Sequence, residues 1–142
     1  FVAKNVKDHH FAEDIVQDCY EKLWKNLEQV NGEKVKAYLF TTAYHTMIDR
    51  LRKEKKVSLT RELPVSMEGT SDHYSDLGER LQEAVNRLPE IQKAVITLRD
   101  YEGYSYQEIG EITGLNESQV KVYIYRARVF LKNYIGATDV LV

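Results

Sequence analysis

From Phe11 to Val30 apolar residues return at helical spacing. Phe11, Ile15, Cys19 and Leu23 recur every four residues, and Val16, Tyr20, Trp24 and Leu27 widen the stripe. The pair Asn31-Gly32 ends this block. A second block, VKAYLFTTAYHTMIDRLRKEKK, runs from Val35 to Lys56 without Gly or Pro. The period then fails: VSLTRELPVSMEGTSDHYSDLG holds Pro64, Gly69, four Ser and two Thr, and reads as a linker. A third helical region begins near Asp76 and stops around Arg87. Pro89 suits the first turn of the next helix, PEIQKAVITLRDY, and Gly103 closes it. Few runs alternate as strands do, and there is no internal repeat. The expected fold is all-α, with two small helical domains at 1–57 and 77–142 joined by a flexible linker at 58–76.

The segment SYQEIGEITGLNESQVKVYIYRAR carries the clearest local grammar. Ser105 followed by Glu108 is a capping box that starts a short helix. Gly110 sits at its centre, where glycine costs about 1 kcal/mol against alanine unless a crossing helix needs the space. Gly114 falls where a left-handed residue ends a helix, and Asn116 with Gln119 can cap the next one. These spacings predict a helix-turn-helix. On its second helix Val120, Ile124, Ala127 and Leu131 form the core stripe. At 100° per residue the opposite face holds Ser118, Gln119, Val122, Tyr125 and Arg126. Glutamine can pair with adenine, arginine with guanine, and valine can touch a thymine methyl, so this face is a candidate for the major groove. Lys121 and Arg128 flank it and suit phosphates. Asn116 and Gln119 serve equally as caps or base contacts, and Tyr123 is assigned to packing.

The second block has a further surface. Leu39, Phe40, Ala43, Met47 and Leu51 make its apolar side, while Tyr38, Thr41, Thr42, His45, Asp49 and Arg52 share roughly a third of the circumference. Rings and an imidazole can stack on single-stranded bases, and Arg50, Arg52, Lys53, Lys55 and Lys56 can follow a backbone. Taken singly, Asp49 and Arg52 could form an i,i+3 ion pair and His45 could be an ordinary surface histidine.

Composition sharpens this picture in one respect. The net charge is −2, which argues against a nucleic-acid binder, but the charge is unevenly placed. Segment 35–56 carries six Lys/Arg against two acids and 116–135 carries four against one, while the rest is acidic. Two basic islands suggest two anion-facing surfaces, although ordinary solvated helix faces would look the same. No apolar run approaches the roughly 20 residues needed to span a bilayer, no signal peptide is visible, and membrane insertion is not expected. The single cysteine, Cys19, excludes an internal disulfide, lies on the apolar stripe and reads as core rather than nucleophile. His9-His10 lacks ligand spacing, and neither GxxxxGK[ST] nor GxGxxG occurs, so no enzyme, metal, cofactor or small-molecule substrate is expected. A cytoplasmic location is the default. The chain starts at Phe1 rather than Met and is expected to begin inside a longer protein.

In this order the blocks resemble the extracytoplasmic-function (ECF) sigma factors of the sigma-70 family. FAEDIVQDCYEKLW is similar to their regions 2.1–2.2, the block Val35–Lys56 to regions 2.3–2.4, and LPEIQKAVITLRDYEGYSYQEIGEITGLNESQVKVYIYRARVFLKNYI to region 4. The resemblance implies a sigma region 2 helical bundle and a region 4 helix-turn-helix, with region 3 absent. It implies that Asp14, Gln17, Asp18 and Lys22 dock the β′ clamp helices of core RNA polymerase, and that the loop Glu28–Lys34 helps hold a flipped base. Tyr38, Thr41, His45, Asp49, Arg50, Arg52 and Lys53 would grip the melted −10 strand of promoter DNA. Asn116, Ser118, Gln119, Lys121, Val122, Tyr125, Arg126 and Arg128 would read the −35 element as duplex, with region 4 also meeting the β flap. An anti-sigma factor is the regulator the resemblance implies.

The chain departs from the family at two places. Where many members read ARN it has Ala43-Tyr44-His45, and where many read VKSRLHRAR it has VKVYIYRAR, which removes phosphate contacts. An autonomous helix-turn-helix regulator with a helical sensor or dimerisation domain, and a polymerase-binding module without DNA, stand as the other readings. The promoter consensus, regulon, inducing signal and relative arrangement of the domains are not encoded legibly.

Overall fold

The structure, a computed structural model, describes residues 1–60 and 76–139, with side chains over 1–56 and 77–136. Most of the expected linker, 58–76, lies outside the described residues. The chain forms α1 (Val2–Asn5), α2 (His9–Lys25), α3 (Val35–Thr60), α4 (Asp76–Asn86), α5 (Glu90–Ile96), α6 (Tyr106–Thr113) and α7 (Glu117–Asp139). A 3₁₀ turn, Gly32–Lys34, leads into α3, and a π-helical turn, Thr97–Tyr101, continues α5. There is no strand among the described residues, in keeping with the all-α expectation.

Local chemistry sets the ends of these elements. The Asp8 carboxylate starts α2 by accepting from the backbone N–H of His10 at 2.9 Å and of Phe11 at 3.3 Å. Asn31 does not simply end the first block: α2 stops at Lys25, and the Asn31 side chain accepts from Glu33 N–H to cap the 3₁₀ turn. Pro89 stands at the cap of α5, one position before the first turn, where its missing N–H costs nothing. The N-terminal α1 has no periodic signal, being a single turn, yet Val2, Asn5 and Val6 are all buried.

In the first half α2 packs on α3 through Ile15, Cys19 and Met47, each at or below 3% exposure. The wide stripe expected on α2 is only half used. Val16, Tyr20, Trp24 and Leu27 remain 37%, 59%, 78% and 48% exposed, because α3 covers a single side of the helix. On α3 burial goes further than its apolar positions foretell: Tyr44 and Thr46 are buried as well. This helix is enclosed by α2 on one side and by α6 of the second half on another.

In the second half α5, α6 and α7 enclose Val95, Leu98, Ile109, Ile112, Val120, Ile124 and Ala127, all at or below 2% exposure. The two halves share one hydrophobic core. Phe40 meets Tyr104 edge to face at 5.2 Å, Asn5 Nδ2 donates to Thr97 Oγ1 at 3.0 Å, and Lys93 Nζ donates to the Asn5 carbonyl at 3.4 Å. Burial, with the charge of Lys7 acting the same way against an opposing pull from Glu90, pushes the Lys93 ammonium below the usual lysine range. No helix of the described residues is long and apolar enough to cross a membrane.

Candidate nucleic-acid interface

The helix-turn-helix is fixed by reciprocal caps at both of its starts. The Ser105 hydroxyl accepts from Glu108 N–H at 3.1 Å, and the Glu108 carboxylate accepts from Ser105 N–H at 3.1 Å. Asn116 and Gln119 repeat the arrangement at the head of α7, at 2.8 and 3.0 Å. Between them Gly114 takes φ 80°, a left-handed conformation that L side chains avoid. A Cβ on Gly110 would sit 2.8 Å from the Leu115 carbonyl oxygen, so the space that glycine leaves is filled by the turn's own backbone and not by a crossing helix.

The capping box also makes the motif acid-sensitive. Its hydrogen bonds to the Ser105 backbone and hydroxyl hold the Glu108 carboxyl below the usual range. A depressed folded pKa means that this contribution is complete above the ordinary glutamate pKa and is lost as pH falls through the lowered value. Glu108→Gln keeps an acceptor but cannot titrate, so the acid limb of a urea-unfolding profile should flatten. Ser105→Ala should cost about 1 kcal/mol at neutral pH by the same measurement.

With the caps and core set, α7 presents its other face to solvent. Ser118, Gln119, Lys121, Val122, Tyr125, Arg126 and Arg128 are all exposed, Tyr125 by 70%, and Tyr123 is half-buried against the core as its position demands. The flanking cations are engaged: Lys121 pairs with Glu117 at 3.4 Å and Arg128 with Asp100 at 2.8 Å. Arg126 makes no ion pair among the described residues. Exposed pairs of this kind exchange readily for phosphate, since each contributes about 0–1 kcal/mol.

A second polar surface lies in the first half, along an open groove of about 680 Å³ between α2 and α3. Tyr38, Thr41 and Thr42 are half-buried on its α3 wall, with His45, Asp49 and Lys53 further along; Asp18, Lys22 and Asn26 form the α2 wall. The walls are tied together. Arg50 pairs with Asp18, Lys22 Nζ donates to Thr46 Oγ1 at 3.0 Å, and Asn26 Nδ2 donates to the Tyr38 oxygen at 3.3 Å. Asp49 pairs with Lys53 at 3.2 Å, one residue beyond the expected Arg52, and Arg52 stays exposed.

The groove therefore brings Asp18 and Lys22 together with the residues expected at single-stranded bases. Asp14 and Gln17 sit apart, exposed on α2, and Gln17 lies beside Tyr20, Glu21, Trp24 and Lys25. Sequence periodicity missed that Trp24 and its neighbours are a surface. A wide stripe with no second covering helix in the pattern was the available signal.

Among the described residues no group of His, Cys, Asp or Glu could hold a metal ion. Cys19 is buried and burial pushes its thiol up, only partly offset by the Thr46 hydrogen bond and the Lys22 charge, the reverse of an activated nucleophile.

Comparison with known proteins places both halves of the chain in one family. Residues 1–57 match the model of sigma-70 region 2, and residues 78–131 that of sigma-70, region 4. The chain is 36% identical over 137 residues to RNA polymerase sigma factor SigV of Bacillus subtilis (strain 168), covering 94% of this chain and 81% of SigV. To ECF RNA polymerase sigma factor SigM of the same organism it is 29% identical, covering 93% and 84%. Among solved structures, sigma factor RpoE in complex with the anti-sigma factor NepR from Bartonella quintana superposes with a TM-score of 0.78 at 26% identity, covering 95% of this chain and 87% of that one. The chain belongs to the extracytoplasmic-function sigma factors of the sigma-70 family. It is a promoter-specificity factor for transcription initiation, and family membership lends no support to an autonomous helix-turn-helix regulator.

Proposed function

We propose that the two solvent-facing polar surfaces divide promoter recognition between them. Residues 1–57 act as region 2 and 77–142 as region 4. The α7 face from Asn116 to Arg128 reads the −35 element as duplex: Arg126, Gln119 and Val122 meet base edges, Ser118, Tyr125 and Asn116 support them, and Lys121 and Arg128 meet phosphates. The groove residues Tyr38, Thr41, His45, Asp49, Arg50 and Lys53, with the exposed Arg52 of the same helix, hold the melted −10 strand. Bases leaving the stack lose pairing and stacking energy, which ring and hydroxyl contacts offset. Asp14, Gln17, Asp18 and Lys22 dock core RNA polymerase, joined by the apolar surface around Trp24. The factor works without catalysis of its own, in the cytoplasm with the polymerase, and an anti-sigma factor is its regulator.

The observation that carries this reading is the exposed α7 face on a doubly capped helix-turn-helix, in one chain with the α3 groove. Run-off transcription with purified core polymerase over a promoter library tests it. Adding the protein should redirect initiation to a discrete set of promoters. Tight binding to isolated duplex sites without any redirection of core polymerase would sink it.

A further inference from the structure

We propose that the α2 wall of the groove is a positioning device for the −10 strand, in which Asp18, Lys22 and Asn26 each hold one α3 side chain in place. Asn26 is a new positioning residue: it acts on the strand through Tyr38. This rests on the assignment of the groove to the melted −10 strand. Asp18, Lys22 and Asn26 follow one another at four-residue intervals and so line one edge of α2. Their partners run in the reverse order, Arg50, Thr46 and Tyr38, as two antiparallel helices require. Arg50 and Tyr38 are both assigned to the strand, and Thr46, between them in the series, is buried.

Each tie fixes a group that would otherwise turn freely. The Asn26 amide uses both of its protons here: Nδ2 donates to the Lys22 carbonyl at 2.8 Å and to the Tyr38 oxygen at 3.3 Å. The Tyr38 hydroxyl donates in turn to the same carbonyl at 3.4 Å, which closes a ring of hydrogen bonds around the phenol oxygen. With that hydroxyl engaged and the side chain half-buried on the groove wall, Tyr38 offers a base its π-face. At the other end Asp18 pairs with a terminal nitrogen of Arg50, both side chains being about a third exposed. A guanidinium carries five donors in a rigid fork, so others remain for a phosphate or a base edge. Between these two ties Lys22 Nζ is drawn onto Thr46 Oγ1 at 3.0 Å. Ordering a rotamer-rich side chain at the moment of binding weakens an interface by about two- to tenfold. Side chains already tied to α2 avoid that loss. Asp18 and Lys22 thus serve the strand as well as the polymerase, and Asn26 serves the strand.

Binding of a −10 single strand carrying 2-aminopurine to the factor at saturating core polymerase tests this. Asn26→Ala should raise the strand's dissociation constant about two- to tenfold, and Tyr38→Phe should do the same. Affinity for core should stay within about twofold of wild type in both. Because the two residues act through one ring of hydrogen bonds, the double variant should be no weaker than the poorer single one. If Asn26 does no more than cap α2, Asn26→Ala lowers the thermal midpoint and leaves the strand constant alone. That result, or additive losses in the double variant, overturns the proposal. Asp18→Arg with Arg50→Asp rebuilds the ion pair with its charges exchanged and places a carboxylate where the strand needs a cation. The thermal midpoint should return to the wild-type value while strand affinity stays about fivefold down or more. An exchange that restores both overturns the positioning role of Asp18. A wild-type factor that ignores the strand while still directing run-off product from promoters overturns the assignment of the groove and the proposal with it. Failure of the sigma-factor reading shows separately, as the absence of promoter-directed product.

Discussion

Gly110→Val is expected to cripple the −35 half of the protein while leaving the groove between α2 and α3 in place. A Cβ at position 110 would approach the Leu115 carbonyl oxygen to 2.8 Å, and that atom belongs to the turn between α6 and α7. A side-chain tip could swing away, but this backbone is held by Gly114 N–H donating to the Gly110 carbonyl at 2.8 Å and by the Asn116–Gln119 cap. Valine adds two further methyl groups and a poor helix propensity. Overpacking of this kind costs about 3 kcal/mol, and the thermal midpoint should fall by roughly 10 °C. Alanine carries the same Cβ and should also lose stability, though less than valine, because it adds no further methyl groups and recovers about 1 kcal/mol of helix propensity. Thermal unfolding followed by circular dichroism ranks the three proteins, and a valine variant as stable as wild type would mean the turn is softer than its hydrogen bonds indicate.

Arg126→Ala is expected to have the largest effect on promoter choice with almost none on folding. Its guanidinium is exposed and makes no ion pair among the described residues, so removing it leaves no buried partner uncompensated. If it meets a guanine edge, its loss costs about 1–3 kcal/mol, or roughly five- to 150-fold, and relaxes preference at a single −35 position. Lys121→Ala should weaken binding more evenly across sequences and lower its salt dependence by about one counterion. His45→Ala should leave −35 preference intact and slow strand opening, read by permanganate reactivity of unpaired thymines. Identical defects from Arg126→Ala and His45→Ala would remove the division of labour between the two surfaces.

How much of this could be read from the chain depends on the range of the interaction that decides it. The capping box at Ser105, the left-handed Gly114 and the buried stripe Val120–Ile124–Ala127 follow from local chemistry, and each stands where its spacing predicts. Positions decided by neighbours distant in sequence were less legible. Gly110 reads as a place for close approach, but its partner is a carbonyl five residues on and not a helix. Tyr44 and Thr46 are buried because α3 is covered from more than one direction, which no single-helix period reveals. The exposure of Tyr20 and Trp24 has the same origin, since an apolar stripe says which residues can be buried and only the packing says which are. The π-helical turn at Thr97–Tyr101 carries no compositional mark. It nevertheless places Thr97 against Asn5 and so decides how the halves meet.

The open position of Trp24 has a practical side. It is the only tryptophan in the chain, so the protein's indole emission comes from one place on α2 beside Gln17 and Tyr20. In water that emission should be red-shifted and easily quenched by iodide. Docking of α2 against polymerase should move it to shorter wavelength and shield it, whereas binding of −35 duplex to α7 should leave it alone. A single intrinsic fluorophore thus separates the two halves of the factor's work in a cuvette, without a label.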